Sequence, residues 1–427
     1  MKIGIIGGSG LDNPDILQDY HEEDISTKYG KPSSKIICGK IQGVDVCILS
    51  RHGRNHEISP TLVNYKANIA SLKMLGCTHI IATSAVGSLK ENIKPGDLVF
   101  PSQFIDFTKK RELTFYDSVG EVQHTEMAEP FSYQLRRALI EATKEFKLKK
   151  HNFATIVIVE GPRFSTRAES LMLRNYADII GMTTVPECTL AKEAGIEYAS
   201  IAMVTDYDCW KKDEQSVTWE MIKKRLEENA EKVKAIILRT LENFNSNNQA
   251  KKDIEFIKSK IRTIPDFPKP GIMFRDVTTL FKDAEAMQKT ANLLYKRYQN
   301  SNIDAVAGIE SRGFILGAIL AGKLGCGFIP IRKKGKLPAD TIQQEYDLEY
   351  GTDIIEIHKD SISPGQNILL VDDLIATGGS SFASCQLIEK LGGKIHECSF
   401  IVELPALNGR QKIANYPIFS LLNFEGD

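Results

Sequence analysis

Two adjacent carboxylates stand directly before a loop of glycine and hydroxyl residues near the C-terminal end of the sequence. Asp372 and Asp373 end an apolar run, and residues 376–380, ATGGS, follow them. Apolar residues then recur at helical spacing, so the loop is predicted to join a strand to a helix. The N–H groups of a helix N-terminus attract phosphate, and glycines allow a close approach. Carboxylates only accept hydrogen bonds, so the aspartates suit the 2′ and 3′ hydroxyls of a ribose, or a Mg²⁺ carried by a pyrophosphate.

Further segments of the same half carry charged and aromatic residues. The run 368–381 resembles the phosphoribosyl pyrophosphate (PRPP) signature of the type I phosphoribosyltransferases. The segments 261–278, 308–314, 331–338 and 344–353 extend the resemblance to the adenine phosphoribosyltransferase family over about residues 253 to 424. The resemblance implies an α/β domain with a mainly parallel sheet, the substrates adenine and PRPP, and Mg²⁺ carried by PRPP rather than by protein ligands.

The same resemblance assigns roles to individual residues. Adenine recognition is implied at Met273, Phe274 and Arg275, although the pattern around Phe274 fits a core position equally well. Binding of PRPP and its pyrophosphate is implied for Glu310, Ser311, Arg312, Arg332, Lys333 and Lys336. A mobile hood that excludes water is implied next, with Glu345 and Tyr346 at its working end. The catalytic residues would be Glu345, Asp372 and Asp373, and the PRPP loop would be Ala376, Thr377, Gly378, Gly379 and Ser380.

The composition is that of a folded protein with almost no net charge. The sequence has 427 residues, 42% apolar and 26% charged, with 54 basic and 55 acidic residues. This length predicts two domains, and the charge balance argues against bulk attraction to nucleic acid or membranes. The eight cysteines show no metal-ligand spacing, so we expect reduced core thiols and no zinc site. No run reaches the ~20 apolar residues of a membrane span, and the first residues resemble a strand rather than a leader, which predicts a cytoplasmic protein.

Apolar runs of strand length alternate with amphipathic stretches, which is the pattern of an α/β protein. The predicted strands are 2–6, 46–50, 78–85, 97–101, 155–161, 198–206, 304–309, 326–331, 352–359, 367–373 and 394–404. Apolar spacing predicts a long helix over 219–244. The polar segment 245–252 lacks this periodicity and predicts a linker, after which a new helix begins near Ile254. The predicted domains are therefore 1–244 and 253–427.

Four polar segments of the first half follow predicted strands: GGSGL, RHGRNH, TSAVGS and TDYD. Ligand sites in open α/β sheets form where strands end, so we expect these segments to meet. Arg51 and His52 provide cationic donors, and Ser84 and the amide of Ala85 provide two more. Together these groups could surround an anion.

These segments, with EGPRFSTRAES and GMTTVPE among others, resemble the 5′-methylthioadenosine phosphorylase family of the trimeric purine nucleoside phosphorylase superfamily. The resemblance covers about residues 1 to 244. It implies inorganic phosphate as co-substrate, bound by Ser9, Arg51, His52, Ser84, Ala85 and Thr183. It implies nucleoside binding by Phe164, Ser165, Met182, Asp206, Tyr207, Asp208, Trp219 and His124.

Asp206 and Asp208 are the pair that distinguishes between purines. The purine leaves as a neutral base during phosphorolysis, so a protonated carboxyl, or a water held by a carboxylate, must deliver a proton near N7. Aspartate also accepts from an exocyclic amine, which favours adenine over 6-oxopurines. Gly181 and Trp219 depart from the family pattern beside the sugar, which leaves the 5′ substituent open. His124 fits two interpretations equally, a residue reaching a neighbouring subunit's 5′ pocket or a structural residue.

The sequence therefore predicts a bifunctional enzyme of purine salvage. Its first half would release adenine and 5-methylthioribose 1-phosphate from methylthioadenosine and phosphate, and its second half would make AMP and pyrophosphate from that adenine and PRPP. Alternatives are a first half that acts on methylthioinosine or another purine nucleoside, and a second half that is a PRPP-sensing regulatory module. One family forms trimers and the other dimers, which predicts a homohexamer with three-fold and two-fold axes.

Overall fold

The computed structural model describes residues 1–7, 17–211, 219–267, 269–347 and 351–425. They divide into two compact units, Met1–Asn247 and Asn248–Asp427, so the division falls inside the predicted linker. Each unit has a sheet with apolar clusters of its own. Helices and strands alternate along both units, which confirms the α/β class.

The first unit is built on an 11-stranded mixed sheet. Its strands are β1 (Lys2–Gly7), β2 (Gln18–Glu23), β3 (Ile36–Ile41), β4 (Val44–Ser50), β5 (His79–Ser88), β6 (Leu98–Val99), β7 (Gln103–Phe107), β8 (Lys150–His151), β9 (Thr155–Val159), β10 (Ile179–Gly181) and β11 (Glu197–Asp206). Its helices are α1 (Tyr65–Met74), α2 (Tyr133–Ala142), α3 (Arg167–Leu173), α4 (Thr184–Glu193) and the beginning of α5 (Trp219–Ser259).

The central strands of this sheet run parallel. β1 pairs Ile6 with Leu49 of β4 on one side and with Ala82 of β5 on the other. β11 continues the sheet parallel to β5, where Ala202 pairs with Ser84. These strands read as continuous apolar runs because both of their faces are buried. Their shared direction brings their carboxyl-terminal ends to one edge of the sheet.

The second unit holds a two-stranded hairpin and a seven-stranded sheet in the order β16-β17-β15-β14-β18-β19-β20. The strands are β12 (Arg262–Pro265), β13 (Met273–Asp276), β14 (Ala305–Ile309), β15 (Gly327–Lys333), β16 (Thr341–Asp347), β17 (Thr352–His358), β18 (Asn367–Ile375), β19 (Lys394–Glu403) and β20 (Ile418–Asn423). The helices are α6 (Thr278–Lys282), α7 (Ala284–Tyr298), α8 (Arg312–Leu324), α9 (Gly379–Lys390) and α10 (Gly409–Lys412). Strands β15, β14, β18, β19 and β20 are mutually parallel, which confirms a mainly parallel sheet.

The conformation of the predicted linker is different from our expectation. Residues 245–252 are helical and belong to α5, which runs without interruption for 41 residues from Trp219 to Ser259. Extending an existing helix adds one hydrogen bond per residue, whereas a new helix needs a costly nucleus. The polar residues of this segment each disfavour a helix by less than about 1 kcal/mol. Continuation therefore wins even where the apolar period is lost.

Two of the eight cysteines also differ from our expectation of reduced core thiols. Cys38 and Cys47 form a disulfide between β3 and β4, with their Cα atoms 4.3 Å apart. The antiparallel register puts these two residues directly opposite each other. A separation of nine residues in the sequence does not reveal that pairing, because it depends on the position of the turn at Gln42–Gly43. The other six cysteines are free.

Candidate active sites

A cavity of about 430 Å³ opens at the carboxyl-terminal edge of the first sheet. Its walls come from the ends of β4, β5, β9, β10 and β11 and from one turn of α5. Ten of the predicted site residues line it: Arg51, His52, Ser84, Ala85, Phe164, Ser165, Met182, Thr183, Asp206 and Asp208. The fold therefore brings together side chains that are up to 157 positions apart in the sequence.

Arg51 is held by a buried carboxylate that the sequence analysis missed. Its Nε and Nη2 donate to the two oxygens of Glu187, each at 2.8 Å, and its Nη1 donates to Thr83 O at 2.8 Å. Burial opposes the charged form, but the Glu187 carboxylate raises the pKa of Arg51 above its ordinary value. Two of the five guanidinium N–H groups remain for another acceptor. Arg51 therefore faces the cavity as a fixed cation, and Glu187 is the residue that fixes it.

His52 is fixed in one tautomer by the backbone. Its Nδ1 lies 2.8 Å from Ile58 O, and a carbonyl oxygen only accepts, so Nδ1 carries the hydrogen. Burial, and after it the charge of Arg51, lower the pKa of His52 to about 4. The ring is neutral at pH 7, and its Nε2 is an acceptor. His52 thus complements the Arg51 donor beside it.

Ser84 has the features of a ligand-binding hydroxyl. It is 7% exposed, lines the cavity, and its Oγ has no hydrogen-bond partner among the described residues. A buried hydroxyl without a partner carries a desolvation cost that a bound anion would remove. Thr183, which precedes α4, is also buried on the cavity wall. These groups and Arg51 form a cradle for an anion.

Asp206 and Asp208 lie together on another wall, each 8% exposed. Burial raises the pKa of Asp206, although the Thr205 hydroxyl and the Asp208 N–H, both at 2.7 Å, act against the rise. Burial likewise raises the pKa of Asp208, whose Oδ2 has no hydrogen-bond partner among the described residues. Burial therefore favours the protonated forms of both Asp206 and Asp208.

Thr205 orients the Asp206 carboxyl. Its hydroxyl donates to Asp206 Oδ2 at 2.7 Å and also lies 3.3 Å from Val86 O. This hydrogen bond stabilises the ionised carboxylate and lowers its pKa, whereas burial is the larger effect and raises it. Thr205 therefore moderates the rise in the pKa of Asp206 and fixes the direction of its carboxyl.

Gly87 makes room for this pair. A Cβ on Gly87 would lie 3.0 Å from Asp206 Oδ1 and 3.3 Å from Asp208 Cβ. Thr205, Gly87 and Glu187 are site residues that sequence reasoning missed. An acidic residue in the otherwise apolar run 185–191 was the available signal for Glu187. Gly87 and Thr205 carried no signal beyond lying beside residues already predicted.

Four of the predicted site residues are not among the described residues that line the cavity: three were assigned to the nucleoside, and Ser9 was assigned to phosphate. Tyr207 packs in an apolar cluster, with its ring centroid 5.9 Å from that of Trp210. His124 is exposed in the segment before α2. Ser9 and the side chain of Trp219 lie outside the described part of the chain.

In the second unit, Asp372 and Asp373 lie near the carboxyl-terminal end of β18. Arg312, the first residue of α8, places its Nε 3.0 Å from Asp373 Oδ2. Burial, and then the neighbouring Asp373 carboxylate, raise the pKa of Asp372 well above its ordinary value. Burial also raises the pKa of Asp373, and Arg312 opposes the rise. Two neighbouring buried carboxyls cannot both ionise easily. A ligand that donates hydrogen bonds or brings positive charge would stabilise their ionised forms.

The predicted phosphate loop joins β18 to α9. Gly378 has a left-handed φ of 76° and caps the N-terminus of α9, a helix of 12 residues. Behind this loop lies Gly409, which no sequence pattern indicated. A Cβ on Gly378 would come within 2.5 Å of Gly409 O. The loop therefore packs backbone against backbone.

The predicted cations belong to β15 and the turn after it. Arg332 Nε donates to Glu310 Oε2 at 3.1 Å, and the Lys333 N–H donates to the same oxygen at 3.0 Å. The Lys336 N–H donates to Glu356 Oε1 at 3.0 Å. Glu356 is 2% exposed and was not predicted. Two carboxylates thus hold the backbone of the cationic turn, and the Lys333 Nζ pairs with Asp353 Oδ2 at 3.1 Å.

The predicted adenine-recognition residues lie on β13, and all three are partly buried. The ring of Phe274 packs edge-on against Phe267, with centroids 5.2 Å apart. The Arg275 guanidinium lies 4.8 Å from the Phe424 ring centroid, and its Nη1 donates to Thr263 Oγ1. Phe274 therefore combines a packing contact with partial exposure, so both interpretations of this residue stay open.

Glu345 and Tyr346 lie on β16, in an antiparallel ribbon with β17 that pairs them with Ile354 and Asp353. Glu345 is exposed, and the Tyr346 hydroxyl donates to Asp353 Oδ2 at 3.4 Å. The sequence repeats the Glu-Tyr pair at residues 349–350, which lie outside the described residues. Glu345 has the exposure expected of a residue on a cover over a ligand.

Both units place charged and hydroxyl side chains at the carboxyl-terminal ends of parallel strands, which is where α/β enzymes place their ligand sites. Residues 2–242 match the family described as Phosphorylase superfamily, and residues 276–421 match the Phosphoribosyl transferase domain. The first match covers more than half of the chain, and the chain belongs to the phosphorylase superfamily. It joins a domain of that superfamily to a phosphoribosyl transferase domain.

Named relatives cover the first unit. S-methyl-5′-thioadenosine phosphorylase of Danio rerio is 56% identical over 243 residues, which is 56% of this chain and 87% of the relative. The enzyme of the same name from Hyperthermus butylicus is 52% identical over 241 residues, with the same coverage of both chains. A solved structure of methylthioadenosine phosphorylase from Schistosoma mansoni in complex with adenine is 41% identical, with a TM-score of 0.55, and covers 58% of this chain and 92% of that one. Among the described residues, no helix is both long enough and apolar enough to cross a bilayer.

Proposed function

We propose that the first unit is a methylthioadenosine phosphorylase and the second an adenine phosphoribosyltransferase, so that adenine released by one is consumed by the other. The observation that carries the first assignment is that the buried pair Asp206 and Asp208 lines the same cavity as Arg51 and Ser84. The named relatives of this unit, 56% and 52% identical, support it. For the second unit, the matched domain gives the class of reaction, and the choice of adenine comes from the sequence resemblance.

In the first reaction, a phosphate oxygen forms a bond to C1′ of methylthioadenosine while the bond from C1′ to N9 breaks. Arg51, Ser84 and Thr183 would hold the phosphate, with the Ala85 amide beside them. His52 Nε2 is an acceptor, so it suits a hydroxyl of the phosphate or of the ribose. Because Glu187 and Thr83 fix the guanidinium, the cradle needs little reorganisation when charge moves onto the reacting oxygens.

The electron pair of the broken bond goes to the purine, which needs a proton at N7. Asp206 would supply it, because burial raises its pKa despite the opposing hydrogen bond from Thr205. Asp208 would accept a hydrogen bond from the exocyclic amine, since its Oδ2 has no other partner among the described residues. Adenine then leaves neutral, and solvent reprotonates Asp206.

In the second reaction, N9 of adenine forms a bond to C1 of PRPP while the bond from C1 to the pyrophosphate oxygen breaks. Pyrophosphate leaves with the electron pair of that bond, and the N9 proton of adenine passes to solvent. The loop 376–380 and the N-terminus of α9 would hold the 5′-phosphate, and the carboxylates of Asp372 and Asp373 would accept from the ribose hydroxyls. Arg312, Arg332, Lys333 and Lys336 would face the pyrophosphate. Phe274 would stack on the base.

A divalent cation fits this proposal through its donor chemistry. The described residues contain no group of three or more His, Cys, Asp or Glu arranged to hold a metal ion. Mg²⁺ commonly keeps waters and substrate phosphates as ligands and takes only one or two carboxylates from the protein. Asp372 and Asp373 are such a pair. When bound with PRPP, Mg²⁺ would neutralise charge on the departing pyrophosphate.

One incubation tests both assignments. The chain is mixed with methylthioadenosine, phosphate, PRPP and Mg²⁺, and adenine, 5-methylthioribose 1-phosphate and AMP are measured over time. Formation of all three is the expected result. Adenine without AMP would contradict the second assignment only. Omission of phosphate must stop the formation of adenine, 5-methylthioribose 1-phosphate and AMP. Methylthioinosine in place of methylthioadenosine, and hypoxanthine or guanine in place of adenine, show whether another purine is preferred.

The assembly proposed for this function is a homohexamer. Trimeric contacts of the first unit and dimeric contacts of the second would close together if their axes intersect. Light scattering coupled to size-exclusion chromatography measures the mass in solution. A single species of monomeric, dimeric or trimeric mass would rule the hexamer out.

A further inference from the structure

We propose that Gly409 is a positioning residue for the 5′-phosphate loop of the second unit, and that its missing side chain sets the affinity for phosphorylated ribose. This inference rests on the proposed phosphoribosyl transfer. Gly409 is the first residue of α10 and lies 29 residues after the loop residue Ser380. It is buried.

The contact between Gly409 and the loop is made by backbone atoms alone. A Cβ on Gly409 would lie 2.9 Å from the Gly378 nitrogen and far inside contact distance of Ala376 O. The reciprocal Cβ on Gly378 would come within 2.5 Å of Gly409 O. Neither backbone can move aside as the end of a flexible side chain could. A single methyl group at position 409 must therefore displace the backbone of residues 376–378.

Steric space, rather than backbone conformation, requires glycine at position 409. Gly378 needs its left-handed φ of 76°, whereas Gly409 is not among the described residues with positive φ. Alanine can adopt the backbone of Gly409 without strain. The Gly409→Ala variant therefore tests the contact with the loop without a separate conformational penalty.

An ion pair between the buried carboxylate of Glu403 and the half-exposed Arg410, here called the clamp, holds Gly409 against the loop. Arg410 Nε donates to Glu403 Oε1 at 2.9 Å, and its Nη2 donates to Glu403 Oε2 at 2.5 Å. Glu403 is 6% exposed and ends β19, and Ser420 of β20 donates to its Oε2 at 2.7 Å. The clamp ties α10 to two strands of the sheet. The loop consequently rests on a fixed support and cannot easily relax around an added methyl group.

The consequence should be selective for one part of the substrate. The loop and the first amides of α9 form the proposed 5′-phosphate cradle, and hydrogen bonds to phosphate depend on the direction of each N–H. The proposed pyrophosphate ligands Glu310, Ser311 and Arg312 belong to a different segment, at the junction of β14 and α8. A displaced loop therefore weakens binding of PRPP and AMP, which carry the 5′-phosphate, and leaves pyrophosphate binding unchanged.

The experiment measures both directions of the proposed reaction in the full chain. We expect Gly409→Ala to raise the KM for PRPP, and the KM for AMP in the reverse direction, by about tenfold or more, the equivalent of about 1.4 kcal/mol. The KM for pyrophosphate should stay within about twofold, as should phosphorolysis by the first unit. The matched control is Gly322→Ala on α8, where an added Cβ meets no atom within 4 Å. It should leave all four values unchanged.

Three results would overturn the proposal. They are an unchanged KM for PRPP in a folded Gly409→Ala variant, an equal rise in the KM for pyrophosphate, or an equal effect of Gly322→Ala. If Gly409→Ala does not fold, Arg410→Met decides, because it releases the clamp without crowding the loop and should raise the KM values for PRPP and AMP but not for pyrophosphate. A wild-type chain that neither binds nor uses PRPP with Mg²⁺ refutes the proposed function itself, which is a distinguishable outcome.

Discussion

The two units build their anion sites in different ways. In the first unit, the site is a cavity whose residues come mainly from five strand ends. Its lining residue Arg51 pairs with Glu187 behind it, and these two side chains are 4% and 0% exposed. In the second unit, the aspartates and the phosphate loop lie within nine consecutive positions, 372–380, and the cations remain accessible. The side chains of Arg332 and Lys333 are 33% and 59% exposed.

This difference fits the chemistry proposed for each site. A purine that leaves as a neutral base must receive a proton from the enzyme. Burial raises the pKa of Asp206 and Asp208, which keeps a proton available on a carboxyl. A pyrophosphate that leaves with several charges needs cations that can move with it, and long accessible side chains provide them. We therefore expect substitutions in the first unit to act on protons and those in the second to act on the binding of phosphates.

The largest expected effect is that of Asp206→Asn. It removes the proposed proton donor, so phosphorolysis of methylthioadenosine should fall by on the order of 10² to 10⁴, or the preference should shift toward 6-oxopurine nucleosides. AMP formation from added adenine should not change. Initial rates of both reactions are measured on the same preparation.

Asp45→Asn is the matched control for this change. Asp45 lies on β4 in an exposed pair with Lys40 at 2.6 Å, outside the cavity lining. The control should keep its activity. Near wild-type phosphorolysis by Asp206→Asn would remove this carboxyl from the mechanism.

Removal of Mg²⁺ should lower the activity of the second unit and leave that of the first unchanged, which is the reverse of the effect expected for Asp206→Asn. With a chelator present, AMP formation from adenine and PRPP should fall by about a hundredfold or more, because a metal ion at a phosphate supplies several kcal/mol of charge stabilisation. Phosphorolysis should continue unchanged. Added Mg²⁺ should restore AMP formation, and a chelated enzyme that still makes AMP at full rate would contradict the role of the metal.

Glu356→Gln should have a smaller effect, confined to the second unit. The change weakens the acceptor that holds the N–H groups of Lys336 and Leu337, both at 3.0 Å. We expect the KM for PRPP to rise about three- to tenfold with a smaller change in kcat. The exposed Glu255→Gln on α5 is the control. Equal changes in the KM for PRPP and adenine would indicate general loosening of the unit instead.

The same carboxylate predicts a pH dependence of stability. Burial opposes ionisation of Glu356, but hydrogen bonds from the backbone N–H groups of Leu337, Gly335 and Lys336 lower its pKa. A carboxyl whose pKa is lower when folded stabilises the fold fully above its unfolded value of about 4.3, and the contribution disappears as the pH falls through the lowered folded value. Acid unfolding of wild type and Glu356→Gln should therefore converge at low pH. A constant difference in stability across that range would disprove this linkage.

The smallest expected effect is that of fusing the two units in one chain on the transfer of adenine between them. We expect no channelling of adenine, because the base is small and uncharged and escapes by diffusion far faster than a typical turnover of about 10 per second. The coupled reaction is run with an excess of isotopically labelled adenine. AMP formed early should carry label in the proportion of the bulk pool. Mostly unlabelled AMP would show direct transfer.

Much of the fold could be predicted because the signals were local. The buried strands β1, β4, β5, β11, β14 and β18 coincide with predicted apolar runs, since parallel strands covered on both faces need continuous apolar sequence. Several strands that were not predicted are more polar or very short, whereas β3 and β20 are apolar strands of six residues that the prediction missed. β2, for example, has five exposed residues of six, and β10 has only three residues.

The same distinction applies to the candidate sites: residues that are contiguous in the sequence could be predicted, and partners from distant segments could not. Sequence alone determined the contiguous elements, namely the aspartates and loop of 372–380, and the residue types that follow each parallel strand in the first unit. Only the tertiary structure decided which distant groups complete them: Glu187 behind Arg51, Gly87 beside Asp206, and Gly409 behind the phosphate loop. The disulfide between Cys38 and Cys47 and the continuity of α5 belong to the same group. The physical reason is that propensity and periodicity act over a few residues, whereas an ion pair, a disulfide or the space for a missing Cβ depends on strand register and packing between segments far apart in the chain.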